Sequence, residues 1–351
     1  MRGADQHATA AAADLSAAVY RLVAPRTLTI EQQTIDTVAT GDAIVAMTEF
    51  SVVSPGTELA AWLGHPPLRP SVVYPRLVGY CNLARVVSVG GDVTRVRPGD
   101  YVVTHQAHRS AFGCREREAL LVLPTGTDET VRRRVTATYL YHLGYSALLA
   151  GGYIPGHEVA IIGAGVLGIA TAELVHVFGG APVVLTAQPA ATTPLGAIGV
   201  TRVHAKREVA QLVDSTPMRG FDLVINTSND WSDHLASLQL GRRGGTVVCL
   251  GFPGRAQEAP AFNPLDPQFF YDKQLTIRHC GHVPPLDVEP IDARFTLRRN
   301  MEYLASLVTS GRIEPDRFVS VERSWRDLPD LYADLATRIP GIYSARLDWR
   351  A

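Results

Sequence analysis

VAIIGAGVLG, residues 159–168, is a short apolar run that breaks into three spaced glycines. Gly163, Ala164, Gly165, Val166, Leu167 and Gly168 spell G-x-G-x-x-G directly after strand-like residues and at the mouth of a helix-like segment. That context suits a turn in which Gly163 bends the chain, Gly165 leaves bare backbone for a pyrophosphate, and Gly168 lets helix and strand approach closely. A bound dinucleotide is expected here.

Downstream, APVVLTA (181–187), FDLVINTS (221–228) and GGTVVCLGF (244–252) are apolar runs short enough for strands. Helix-length segments such as GIATAELVHVFGG and DWSDHLASLQLGRRG separate them. Strands buried on both faces and alternating with helices predict a doubly wound parallel sheet. Upstream, AIVAMTEFSVV (43–53), YCNLARVVSVG (80–90) and GDYVVTHQ (99–106) alternate in polarity and are punctuated by Gly and Pro, which predicts a small, mostly antiparallel β domain. Beyond about Val283 two amphipathic helices, TLRRNMEYLASLVTSG and RDLPDLYADLATR, precede a final strand, SARLDW.

The 351 residues are enough for two domains, and 46% of them are hydrophobic. With 33 basic and 34 acidic side chains the net charge is −1, so no strong field draws nucleic acid or anionic lipid, and a small-molecule substrate is expected. No apolar run reaches membrane-spanning length, and the Ala-rich opening lacks the apolar core and cleavage pattern of a secretory signal. Residues 1–14 read as a disordered tail. Cys81, Cys114, Cys249 and Cys280 are scattered without framework spacing, which fits reduced thiols and a cytoplasmic protein.

An NAD-specific site carries Asp or Glu about 20 residues past the glycine turn, at the end of the second strand. VVLTAQPAATT has neither; the position falls on Thr186, which leans toward NADP over NAD. Arg202, Lys206 and Arg207 are candidates to reach a 2′-phosphate, unless they line an exposed helix face. Thr227 and Gly251, at the ends of the later strands, are further candidate cofactor contacts.

A β domain, then a dinucleotide domain, then a return to the first domain resembles the medium-chain dehydrogenase/reductase superfamily. The resemblance spans nearly the whole chain, through SPGTELAAWLG, VGYCNLARVVSVGGDVTRVRPGDYV, GYSALLAGGYIPGHEVAIIGAGVLG, FDLVINTSN, GGTVVCLGF and SGRIEPDRFV. It implies an α/β protein: a GroES-like, mostly β catalytic domain over 15–146 and 286–351, and a Rossmann cofactor domain over 147–285. It also implies a homodimer, formed by continuing the cofactor sheet across a two-fold axis through TVVCLGF or LTIRHCG. Thr186-Ala187-Gln188 looks like the second-strand exit of the quinone reductases, although Pro189 stands where they carry a basic residue.

Zinc members of this superfamily hold a catalytic ion with a Cys, a Gly-His-Glu triplet and a third ligand. Here the Cys position falls on Pro55, the triplet reads Gly79, Tyr80, Cys81, and the third position falls on or near His142. The structural zinc lobe is reduced to Cys114. The chain therefore resembles the zinc-independent branch, and protein donors must take over the oxyanion. Thr57 and Glu58 match the hydroxyl and acidic residue of the zinc relatives. Tyr80 is a candidate acid, His142 a candidate for proton transfer, and Ser146 stands at the Thr or Ser position beside the nicotinamide. A relocated metal site of His105, His108, Cys81 and His142 is an alternative; otherwise His105 and His108 are expected at the surface. The expected activity is hydride transfer between NAD(P) and an alcohol or ketone of a specialised, biosynthetic substrate. Reduction of a conjugated C=C bond and a non-catalytic dinucleotide-binding role remain alternatives.

Overall fold

The computed structural model describes residues 14–67, 74–189, 193–280, 288, 291, 293–339 and 341–350. The tail expected over 1–14 lies, except for Asp14, outside the described residues, as does the junction expected between 285 and 286.

Among the described residues, six parallel strands form the cofactor sheet. Their spatial order is Arg202–Ala205, Val183–Thr186, Val159–Ile162, Phe221–Asn226, Gly241–Cys249 and Thr276–His279. In chain order this is 3-2-1-4-5-6, the doubly wound arrangement whose ligand crevice opens at the carboxyl ends of the central strands. Val159–Ile162 and Val183–Thr186 are buried along their whole length, as expected of strands covered on both faces.

The second large sheet has seven strands among the described residues. Val319–Ser324, Ser344–Asp348, Ala43–Val52, Asn82–Val89, Tyr101–Thr104 and Leu121–Leu123 lie side by side, and Ala111–Arg115 also pairs with Ala43–Val52. All pairs are antiparallel except Val319–Ser324 with Ser344–Asp348. A hairpin, Leu15–Ala24 and Thr27–Ile35, adds a three-stranded sheet with Arg76–Leu77. The two helices expected near the carboxyl end are Leu297–Thr309 and Leu328–Ala336. Arg202, by contrast, opens a strand, and Lys206–Glu208 is a single 3₁₀ turn, so no helix face carries them.

The helix Thr138–Ala150 joins the two halves. Tyr141, Ala147 and Leu148 pack into one continuous core that contains Phe50 and Leu83 of the β half and Val159, Ile169 and Leu174 of the cofactor half. Gly144 is where it crosses the helix Val166–Val177: a Cβ there would lie 2.6 Å from Thr171 Oγ1. Beside this crossing Tyr141 donates to Glu173, which also accepts from Arg317 and from the Glu314 backbone N–H. Among the described residues no helix is long and apolar enough to cross a membrane.

Candidate active site

The glycine turn has the geometry its spacing requires. Gly163 adopts φ 103°, the left-handed region that glycine alone enters cheaply, and a Cβ there would meet Thr227 Oγ1 at 2.5 Å. At Gly168 a Cβ would lie 1.9 Å from the Gly163 carbonyl oxygen, so only glycine permits this helix–strand contact. Gly165 differs: it is exposed and has no atom within 4 Å of its Cβ position, leaving open space over bare backbone. It is also the N-cap of Val166–Val177, and no side chain caps the first turn. Those unused N–H groups and the helix dipole fit a dinucleotide phosphate.

The neighbouring candidates have distinct places. Thr186 ends its strand, 9% exposed, and accepts from the Gln188 backbone at 3.4 Å. The Thr227 hydroxyl donates to the Ile162 carbonyl at 2.8 Å and so backs the turn. Gly251 packs its backbone on Ser228, where a Cβ would lie 2.1 Å from the carbonyl oxygen. Ala164 and Leu167 are half-buried and Val166 is buried, which anchors the turn to the core. Lys206 follows the carboxyl end of its strand but is engaged by Asp233 at 2.6 Å. Arg202 does not match its expected role. It pairs in register with Val183, three residues before Thr186, at the amino end of the sheet, and binds Glu158 at 2.9 Å. Ligands of such sheets lie at the opposite end.

In the β half, the helix Pro55–Leu63 opens at Ser54. Ser54 does not cap it with its side chain; its Oγ instead receives the hydroxyl of Tyr80. Burial pushes the Tyr80 phenol well above the ordinary tyrosine range. Neighbouring Cys81 adds to this, the Ser54 hydroxyl opposes it, Glu58 adds further and the Thr57 hydroxyl opposes it again. The phenol is therefore held as a donor. Thr57 is exposed at the start of the same helix.

Glu58 points inward. It is 2% exposed and accepts from the Ser54 backbone N–H at 2.6 Å, from His108 Nε2 at 2.9 Å and from the Tyr332 hydroxyl. Trp349 Nε1 donates to Ser51 Oγ at 2.8 Å, leaving the Ser51 proton for His108 Nδ1, also at 2.8 Å. That assigns the His108 proton to Nε2, facing the carboxylate. His108, expected at the surface, is thus wholly buried.

His142 lies on the joining helix, 2% exposed, with Nε2 3.3 Å from Ser146 Oγ one turn later. Its Nδ1 is buried without a hydrogen-bond partner. Desolvation and the nearby His105 hold its pKa down at about 4, so the ring is neutral at neutral pH. Tyr139, three residues before it, stands edge-on to both Tyr80 (5.6 Å between centroids) and His105 (4.3 Å) and tilts over His142 at 5.4 Å. Tyr80, Tyr139, His105 and His142 therefore form one aromatic, protic wall. Tyr139 was missed from sequence, although its i, i+3 spacing to His142 put both on one helix face.

These donors do not fit the zinc geometry of the resembling family. Pro55 offers no ligand atom, the Tyr80 phenol is held protonated, and burial pushes the Cys81 thiol well above its usual range. Among the described residues no three His, Cys, Asp or Glu side chains are grouped to hold a metal ion.

No protein-family model matches the chain. Known proteins do. The chain is 27% identical over 322 residues to 2-desacetyl-2-hydroxyethyl bacteriochlorophyllide A dehydrogenase of Rhodobacter capsulatus, covering 88% of this chain and 91% of that one. It is 21% identical over 340 residues to L-galactonate-5-dehydrogenase of Escherichia coli K12, covering 88% and 92%. The crystal structure of 2R,3R-butanediol dehydrogenase from Bacillus subtilis superposes with a TM-score of 0.76 at 16% identity, over 95% of this chain and 99% of that one. With its order of β domain, Rossmann sheet and returning carboxyl-terminal strands, the chain has the fold of these dehydrogenases and is similar to them along nearly its whole length.

Proposed function

We propose that the protein is an oxidoreductase that transfers a hydride between a nicotinamide dinucleotide and an alcohol or ketone carbon, with protein groups in place of a catalytic zinc. The observation that carries this reading is the wall of Tyr80, Tyr139, His105 and His142, with its neutral, unpartnered His142 Nδ1, in a fold whose glycine turn leaves an uncapped helix end for phosphate. The dinucleotide supplies or accepts the hydride when bound. Tyr80, held protonated, donates to a substrate carbonyl oxygen, with the Ser54 hydroxyl as its resting partner. Thr57 orients the same oxygen, and the neutral His142 ring accepts a proton when an alcohol is oxidised. Glu58 supports this set by fixing the helix start. The absence of an acidic residue at Thr186 favours NADP, and both named relatives being dehydrogenases favours C=O over C=C chemistry. One relative's name, a dehydrogenase of 2-desacetyl-2-hydroxyethyl bacteriochlorophyllide A, favours a specialised substrate.

The test is turnover of purified protein with NADPH and NADH against secondary alcohols, ketones and enones, before and after chelation and with metal analysis. Alcohol or ketone turnover that survives chelation is expected. Tyr80→Phe and His142→Ala are expected to lower kcat more than cofactor affinity. Turnover of enones alone would replace the proposal with C=C reduction, and activity lost on chelation and restored by zinc would overturn its metal-free half.

A further inference from the structure

Arg255 lies outside the strand and helix signals read from sequence, and its environment is unusual for a cation. It stands just past the strand Gly241–Cys249, at the carboxyl edge of the cofactor sheet, and is only 9% exposed. Its Nη1 donates to the Gly56 carbonyl at 3.1 Å, which bridges the cofactor half to the helix carrying Thr57. Its guanidinium sits over the Phe252 ring at 4.2 Å. Nε is buried without a partner, and no carboxylate among the described residues pairs with it. Burial works against its charge, and the nearby Tyr80, held protonated, supplies no counter-charge. A desolvated charge without a counter-ion is costly, and proteins normally pair such a group.

The loop holding it is tied down at several points. Gly254 donates to the Asn229 carbonyl at 2.7 Å and Ala256 to the Pro66 carbonyl at 2.9 Å. Gln257 accepts from the Trp231 N–H at 2.9 Å and donates to Asp230 at 3.0 Å. Gly254 itself lies against the Trp231 ring, where a Cβ would approach to 2.4 Å. The adjoining amino end of Pro55–Leu63 adds positive potential, and Gly56 is exposed with no atom within 4 Å of its Cβ position.

Taking this cleft as the dehydrogenase site proposed above, we propose that Arg255 is an oxyanion receptor that binds a carboxylate or phosphate beside the reacting groups. The missing counter-ion arrives with the ligand, borne either by the substrate or by the pyrophosphate of the dinucleotide. A planar guanidinium with free N–H donors matches either anion.

Binding, not turnover, tests this, so failure of the dehydrogenase reading leaves the result interpretable. Malonate, inorganic pyrophosphate, neutral malonamide and NADPH are titrated into wild type, Arg255→Gln and Arg255→Lys. Arg255→Gln is expected to weaken at least one anionic probe by about tenfold or more, with Arg255→Lys retaining part of the affinity. Weakened malonate with unchanged NADPH assigns the anion to the substrate. Weakened pyrophosphate and NADPH with unchanged malonate assigns it to the cofactor. If Arg255→Gln does not fold, thermal melting of wild type decides: malonate or pyrophosphate must raise the midpoint where malonamide does not. Equal binding by wild type and Arg255→Gln, or no anion-specific rise in melting, overturns the proposal.

Discussion

His108 Nε2 lies 2.9 Å from Glu58 Oε2, and the two side chains are 0% and 2% exposed. With the Ser54 backbone and Tyr332 as further donors, the carboxylate has partners on both oxygens. Its effect is therefore on position: it clamps the first turn that carries Thr57 and sets Ser54 beneath Tyr80. Glu58→Ala strands three buried donors and is expected to cost about 3 kcal/mol or more in denaturant unfolding. Its kcat is expected to fall with it, because Ser54 is released.

Histidine burial sets a pH dependence of definite sign. His142 has a reference pKa of 6.5 and a folded value of about 4, so between these values the unfolded chain holds a proton that the fold does not. Stability is then highest above the unfolded value, falls as pH drops through the window, and levels off below about 4. The whole window corresponds to about 3 kcal/mol. His234, also shifted down by burial, acts in the same direction. Urea unfolding of wild type and His142→Gln at about pH 7 and about pH 5 is expected to show a smaller loss in the variant. Equal losses would remove His142 from the set of buried neutral rings.

Two glycines of one turn are expected to separate binding from folding. A Cβ at Gly165 meets no atom within 4 Å, and its extended backbone (φ −83°, ψ −172°) accepts β-branching. Gly165→Val should keep the melting temperature and weaken NADPH binding by at least about tenfold, read from cofactor fluorescence. Gly168→Ala should do the reverse first: its Cβ falls 1.9 Å from the Gly163 oxygen, and overpacking of this kind costs about 1–3 kcal/mol.

The cofactor half was legible because strands covered on both faces read as unbroken apolar runs, and Val159–Ile162 and Val183–Thr186 are such strands. Val319–Ser324 escaped because only Val319 is buried and its pattern does not alternate cleanly. Arg202 was misplaced for a different reason. Distance along the chain does not say which end of a strand a residue occupies; only its register with Val183 does. The candidate site was partly legible: Tyr80 and His142, both picked out in the sequence, stand around Tyr139 in the aromatic wall. Its supports were not, since Tyr332 meets Glu58 across 274 residues and Arg255 meets Gly56 across 199. Local pattern carries no trace of such pairs.

The outer edge of the cofactor sheet leads to the last prediction. Thr276–His279 pairs on one side with Gly241–Cys249, all four of its residues are exposed, and no described strand covers its other side. A bare edge presents unpaired N–H and C=O groups, and a second copy related by a two-fold axis would satisfy them. A dimer is therefore expected in sedimentation at micromolar concentration. Ile277, 38% exposed in the middle of the edge, is the position to challenge. A lysine there places like charges near the axis, so Ile277→Lys should weaken association by about tenfold or more while leaving the melting of the protomer nearly unchanged. A wild-type protein that sediments as a monomer would rule out the paired edge.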